Sequence, residues 1–401
     1  MKNASVLTPL KKGVVGVQFL FVAFGATVLV PVLVGFSPAT GLFSAGLGTL
    51  IFHIVTRGQV PIFLGSNFTF IAPIIAASQM WGTSGALTGV LGVATVYILM
   101  SFVVKWQGLE FIHKLFPPVV IGTVIILIGL TLLSSEVNMA SEHWGLALLS
   151  LASSIMVIIF GKGLIKLTPV VVAVVVGYLV AVPMGMVDFS PVAAAPWFAL
   201  PPSLSDFQMP QFAWEPFLFM MPIAAAAVIE HVGDVYVVGS VAKKDFITSP
   251  GLHRTMLGDG LACASASLLG GPPVTTFLEV TGAMSITKVT DPKVIRIAAF
   301  TAIILSVIGK LSALLQSIPT AILGGIMLLL FGTIASVGLN NLIQYKSDMK
   351  APRNIIICVV MLATGIGGAI FADGNFILSS TGFSAIIGII LNLILPKEKK
   401  S

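Results

Sequence analysis

Long apolar stretches follow one another along this chain with almost no charge inside them, and that fixes the solvent in which it folds. Only 9% of its 401 residues are charged, and 57% are hydrophobic. A soluble domain carries about a quarter charged residues, and a chain this poor in charge cannot coat a surface that faces water. The reading is a polytopic membrane protein of all-α class. A soluble globular enzyme, a disordered protein and a nucleic-acid binder are excluded by the same numbers. A helical span needs about 20 apolar residues, so a chain of this length holds at most about 14 to 16 spans.

Fourteen apolar segments are expected, starting near Gly13, Pro38, Ile62, Gly85, Phe116, Gly145, Ile165, Pro216, Leu252, Pro273, Lys293, Ile318, Pro352 and Ile377. Cytoplasmic loops carry an excess of Lys and Arg. With fourteen spans and both termini in the cytoplasm, every one of the 21 basic residues except Lys310 falls on the cytoplasmic side. The longest outer connection, Val187 to Glu215, contains no Lys or Arg. A wrong span count would scramble this alternation. The first apolar run is of spanning length with no A-x-A-like site after it, so a cleavable signal peptide is not expected. Cys263 and Cys358 each lie in an apolar stretch and read as small buried hydrophobes. No metal site or cofactor is expected.

The two halves echo each other. Pro117-(x4)-Gly122 opens the fifth segment, and Pro319-(x4)-Gly324 opens the twelfth. Leu64 to Phe70 in the third segment and Pro272 to Leu278 in the tenth are both extended-looking, hydroxyl- or amide-bearing stretches that lead into short apolar helices. Seven spans per half is odd, so the halves are expected to be inverted. Paired interrupted segments in inverted halves point to a carrier's midplane site.

Ionisable residues inside spans carry most of the information about function. Glu230, Asp234, Asp259 and Glu279 are read as such residues, with the other acids in loops or at span ends. Glu230 and Asp234 are four apart and share a helix face. Two buried carboxylates cannot easily both ionise, which suits a proton-coupled carrier. The competing reading puts Asp234 at the solvated end of its span beside Lys243 and Lys244. Glu279 stands in the first turn of a half-helix, where the helix dipole favours an acid; a simple cap is its alternative. His231 is read as a packing or hydrogen-bonded residue, and Asp259 as a structural partner for Arg254 or a helix end. The half-helix starts near Phe68 and Leu278 supply free N–H donors, and the carboxylates supply acceptors. Ala26, Phe68, Phe277 and Phe331 are candidate walls for a flat ring. A heterocycle with alternating C=O and N–H groups, such as uracil or xanthine, matches both sets. A simple anion would be repelled by Glu230 and Glu279.

These motifs resemble the nucleobase–ascorbate transporter family, nearest its uracil/xanthine permease branch. The resemblance runs nearly end to end. It rests on Phe24 to Pro31, Pro61-Ile62-Phe63-Leu64-Gly65-Ser66, Glu230-His231-Val232-Gly233-Asp234 and Pro250-Gly251-Leu252-His253-Arg254. The family signature [QE]-N-x-G-x(4)-T-[KR] is matched by Glu279 to Lys288, with Val280 in place of the usual Asn. The resemblance implies fourteen transmembrane segments in two inverted seven-segment repeats, with short antiparallel strands in segments 3 and 10. It implies a core, substrate-binding domain of residues 1–115 and 216–316, and a gate domain of residues 116–215 and 317–401. Glu230 and Glu279 would hydrogen-bond the base, backbone groups of Phe68 and Leu278 would complete recognition, and Asp234 would assist proton coupling. Asp234 stands where the uracil branch often has His and purine carriers often have Asp. Glu279 stands where purine carriers commonly have Gln. The expected function is proton-coupled import of a nucleobase, uracil first, with xanthine, uric acid or another purine as the alternative. An anion transporter on the same fold, a membrane-embedded enzyme and a non-transporting sensor are the rivals. The expected partners are a nucleobase, a proton, the lipid bilayer and a second copy joined through the gate domain, with no nucleic acid. The expected location is the bacterial inner membrane.

Overall fold

The computed structural model describes residues 8–108, 117–201, 209–344, 348–369, 371–373, 376–378 and 380–396. Lys2, Lys114, Lys346, Lys397, Lys399 and Lys400, all used in the orientation argument, lie outside the described residues. The order is α1 (Pro9–Leu33), α2 (Pro38–Val55), β1 (Leu64–Ser66), α3 (Ile71–Gln107), α4 (Pro118–Ser141), α5 (Trp144–Phe160), α6 (Pro169–Ala181) and α7 (Ser190–Ala194). It continues through α8 (Trp214–Ala242), α9 (Leu252–Leu268), β2 (Val274–Thr276), α10 (Leu278–Thr287), α11 (Pro292–Ser306), α12 (Gly309–Gln316), α13 (Thr320–Gln344) and α14 (Pro352–Ile366). The last elements are β3 (Phe371–Asp373), β4 (Phe376–Leu378) and α15 (Ser380–Ile394).

The fold is mostly helical and of the polytopic membrane type. Among the described residues six helices are long and apolar enough to cross a membrane, and four shorter apolar helices accompany them. Proline opens several helices at the first turn, where its missing N–H costs nothing. α3 contains one break at Gly82, whose φ of 70° and ψ of 179° turn the chain, so it comprises two helical arms. α12 was not foreseen as an element of its own. It holds Lys310, whose Nζ donates to the carbonyls of Val192 at 2.9 Å and Ala193 at 3.3 Å.

Helices pack closely through small residues, as expected where apolar solvent removes the hydrophobic incentive. α4 runs antiparallel to α13. A Cβ on Gly129 would stand 2.6 Å from both Phe331 O and Ala335 N, and one on Gly324 would stand 2.5 Å from Ala140 N. Such backbone approaches admit only glycine. At one end the chain is clamped by Lys12 of α1, which forms an ion pair of 2.6 Å with Asp291, the N-cap of α11.

Candidate substrate site

Two three-residue strands cross deep in the protein. β1 and β2 pair antiparallel, with Leu64 opposite Thr276, Gly65 opposite Thr275 and Ser66 opposite Val274. A two-stranded ribbon inside a membrane protein leaves two outer edges that need partners. α2 serves the first: Thr49 Oγ1 accepts from Leu64 N at 2.9 Å, and His53 Nε2 lies 3.1 Å from Ile62 O. α9 serves the second: Cys263 Sγ donates to Val274 O at 3.1 Å, and Asp259 Oδ2 accepts from Thr276 N at 3.2 Å. Gly65 sits close against its neighbours: a Cβ would stand 3.2 Å from Thr27 Oγ1 and 3.4 Å from the Phe277 ring.

Each strand ends at the start of a helix. Asn67 caps the turn Phe68–Phe70, its Oδ1 accepting from Thr69 N at 2.8 Å, and α3 follows. Phe277 precedes α10, which begins at Leu278. The first N–H groups of both helices have no intrahelical acceptor, and Phe68 and Leu278 both border one cavity of about 690 Å³. Glu230, Asp234, Phe277 and Glu279 border the same cavity. Glu230 and Glu279 present surface to it, whereas Asp234 is only 3% exposed. The solvated reading of Asp234 is therefore replaced by a buried one: its Oδ2 accepts from Thr276 Oγ1 at 2.6 Å.

The remaining expected wall residues divide. Ala26 lines a smaller adjoining cavity of about 170 Å³ that shares Phe68, Phe277 and Glu279 with the first. Phe331 borders neither cavity. It is fully buried behind Phe68 and meets that ring edge-on, centroids 6.5 Å apart. From the strands the large cavity runs along α8 to Tyr236 and Val237 and along α13 to Asn340 and Asn341. That is the end of α8 followed by Lys243 and Lys244.

Three polar features were missed in the sequence. Asn67 Nδ2 donates to Glu230 Oε2 at 3.1 Å and to Thr275 Oγ1 at 3.0 Å, so one amide ties both strands to one acid. Asp259 does not pair with Arg254. It meets His231 Nδ1 at 2.9 Å, while His231 Nε2 lies 2.9 Å from Thr255 Oγ1. Arg254 is instead 3.4 Å from Val55 O. The third is Glu136, expected in a loop or at a span end, which is a buried residue of α4. Val280 is buried in the α10 core. Among the described residues no cluster of His, Cys, Asp and Glu has the spacing to hold a metal ion.

The family model of xanthine and uracil permeases, described as "Permease family", matches residues 10–373. The chain belongs to the nucleobase–ascorbate transporter family. Members of this family are similar to it over nearly their whole length. The probable uracil permease of Haemophilus influenzae is 45% identical over 97% of this chain and 95% of its own. The uracil permease of Bacillus caldolyticus is 44% identical over 94% of this chain and 90% of its own. Like other members of the nucleobase–ascorbate transporter family, the protein is a membrane transporter and not an enzyme. Its fold is also similar to the transmembrane domain of a cyanobacterial bicarbonate transporter, with a TM-score of 0.64 at 14% identity over 97% of this chain and 98% of that one.

Proposed function

We propose that the protein is a secondary active importer of a nucleobase, uracil first, working by proton symport and alternating access. The observation that carries this is the meeting of Glu230 and Glu279 with the helix starts at Phe68 and Leu278 around one cavity. Two acceptors and two sets of backbone donors match the alternating N–H and C=O groups of a uracil ring. N–H groups of the base donate to the carboxylates, and its carbonyls accept from the helix N-termini. Hydrogen bonds to charged partners contribute about 1.5–3 kcal/mol each. Phe68 and Phe277 supply apolar walls for the faces of the ring.

Uracil is uncharged at neutral pH, so a membrane potential alone does not concentrate it. A co-transported ion must move with it. Asp234, held by Thr276 next to Glu230 on the same helix, is the residue assigned to proton coupling, with Glu230 and Glu279. A protonated acid can donate to a base carbonyl, which links the two bindings. The relatives' names support uracil, as does Glu279. Asp234 is the one feature that favours a purine.

The architecture proposed is fourteen segments in two inverted repeats, with a core of residues 1–115 and 216–316 and a gate of residues 116–215 and 317–401. It is supported by the equivalence of α2 and α9, each of which ties the outer edge of one strand. The cavity's mouth lies at the end of α8 bearing Lys243 and Lys244. With the basic ends in the cytoplasm of a bacterial cell, this is an inward-open arrangement in the inner membrane. Two copies would associate through the gate. The anion reading draws on a likeness of fold alone, and the two glutamates facing the cavity oppose it.

Competition of uracil, thymine, xanthine, uric acid, hypoxanthine and bicarbonate against labelled uracil tests the substrate. Uracil is expected to compete best and bicarbonate not at all. Strongest competition by xanthine or uric acid would move the substrate to the purines. In proteoliposomes an inward proton gradient should drive accumulation without sodium, and a protonophore should abolish it. Accumulation that needs sodium would remove the proton and leave the base.

A further inference from the structure

Glu136 has no place in the account so far. It lies on α4, is 3% exposed, and its Oε2 has no hydrogen-bond partner among the described residues. Burying an unpaired carboxyl in apolar surroundings is costly, and such residues in membrane proteins are by default functional.

Its position narrows the function. Ile121, Ile125 and Ile128 of α4 line the large cavity. Glu136 follows Ile125 by three turns and returns to within about 20° of the same face, about 16 Å further along the axis. The antiparallel packing that sets Gly129 against Phe331 and Ala140 against Gly324 brings Glu136 level with Met327 of α13. Met327 is one turn from Phe331, which closes on Phe68. Glu136 thus stands beyond the Phe68–Phe331 contact, on the side away from the mouth at Asn340 and Asn341. In this conformation Glu136 is buried.

Among the described residues Glu136 forms no ion pair. Of the elements packed against α4, the helices α13, α5 and α15 carry no ionisable side chain. α14 carries buried Cys358 and Arg353, and Arg353 Nη2 donates to Asn392 O at 2.6 Å. α8 carries Glu215 in its first turn, Tyr236 at the cavity mouth, Glu230 and Asp234 at the cavity, and His231 bonded to Asp259. On the segment after α4, Glu142 is bonded by Thr320 Oγ1.

We propose that Glu136 is a second proton-binding site, separate from the substrate site, which gates closure of the pathway on the far side. When that side opens, the face of α4 that bears Glu136 meets water and the carboxylate is hydrated. Closure returns it to the dry environment seen here, which accepts the neutral acid and rejects the carboxylate. The proton comes from far-side water, adds to the carboxylate oxygen before closure, and returns to the same water on reopening. External acid therefore speeds closure. The inference rests on the alternating-access reading and is independent of which residue carries the co-transported proton.

The test measures the initial rate of labelled-uracil uptake against external pH at fixed internal pH. Alongside it run uracil binding by calorimetry and protonophore sensitivity of accumulation. In the wild type the rate should fall on the order of tenfold from about pH 6 to about pH 8. Glu136→Gln, which mimics the neutral acid, should raise the rate at about pH 8 several-fold toward its value at about pH 6, leaving only the dependence that symport itself imposes, while uracil affinity stays unchanged. A wild-type-like profile in the variant, or a flat profile in the wild type, overturns the proposal. Loss of protonophore sensitivity in the wild type would instead sink the symport reading alone. Should Glu136→Gln fail to fold, the wild type decides. A hydrophobic carbodiimide, which reacts with protonated carboxyls, should modify Glu136 in peptide mass mapping, faster at acid external pH. No adduct at Glu136 at any pH overturns the proposal.

Discussion

Asn67→Ala is the perturbation that best separates folding of the site from recognition by it. The amide makes three bonds: to Glu230 Oε2 at 3.1 Å, to Thr275 Oγ1 at 3.0 Å, and from Thr69 N to its own Oδ1 at 2.8 Å. Removing the cap costs about 1 kcal/mol of stability. Leaving buried Thr275 without its donor adds about 1 kcal/mol. The bond to Glu230 acts differently, because it holds the carboxylate in place before the base arrives. Hydrogen bonds to charged groups are worth about 1.5–3 kcal/mol. If about half of that is spent on reordering Glu230 in the variant, uracil affinity falls by about 4- to 10-fold. Asn67→Ser provides the contrast. A serine oxygen can still cap Thr69, but the side chain is too short to reach Glu230. Thermal denaturation should report a stability loss for Asn67→Ser, which keeps the cap but loses the bond to Thr275, about half as large as that for Asn67→Ala, while calorimetry should report weakened uracil binding in both. Wild-type affinity in both variants would refute the argument that Asn67 sets Glu230.

Two further predictions concern the fold. Asp291 is partly buried, which pushes its carboxyl up, but the bonds from Lys12 Nζ and Lys293 N outweigh this and hold it below its ordinary 3.8. A carboxyl whose pKa is lowered by folding stabilises the protein above its unfolded value, so this contribution is complete at neutral pH and is lost as pH falls through the lowered value. Asp291→Asn, which keeps a good cap and loses the ion pair, should cost about 0.2–1 kcal/mol, and Asp291→Ala about 1 kcal/mol more, read by thermal melts at neutral pH; in acid the cost of Asp291→Asn should vanish, while the capping cost of Asp291→Ala should remain. Gly129→Ala would place a methyl 2.6 Å from the Phe331 and Ala335 backbone, so it should destabilise the α4–α13 pair by about 1–3 kcal/mol, and an unchanged melting temperature would contradict that packing.

Much of the site was legible because a membrane makes polar residues conspicuous. Glu230, Asp234 and Glu279 stand out in apolar sequence, and all three border one cavity. Two short polar stretches read as extended, the family resemblance implied that they are antiparallel strands, and β1 and β2 do pair. Partners across the fold were not legible. Asn67 and Glu230 are 163 residues apart, and nothing in local spacing brings an amide of the third segment to an acid of the eighth. Asp259 was assigned toward Arg254 because the two are neighbours on one helix, but they are five apart and point about 140° away from each other. Its place beneath β2 depends on α9 packing against the strand. Glu136 was missed because Ser134, Ser135 and Glu136 read as a span end, whereas α4 continues to Ser141 and turns the acid inward. Phe331 was read as a wall of the site but packs behind Phe68, because a side chain that borders a cavity and one that backs its wall have the same apolar signature.

The central claim is that a uracil ring is held between Glu230 and Glu279, and calorimetric titration of uracil into purified wild type and Glu279→Gln tests it most directly. The substitution keeps the shape of the side chain, removes its charge and turns one acceptor into a donor. Losing a charge-assisted bond of about 1.5–3 kcal/mol should weaken binding about 10- to 100-fold, with an unaltered melting temperature for the uracil-free protein. Uracil affinity equal to the wild type in a folded Glu279→Gln protein would take Glu279 out of the site and contradict the account.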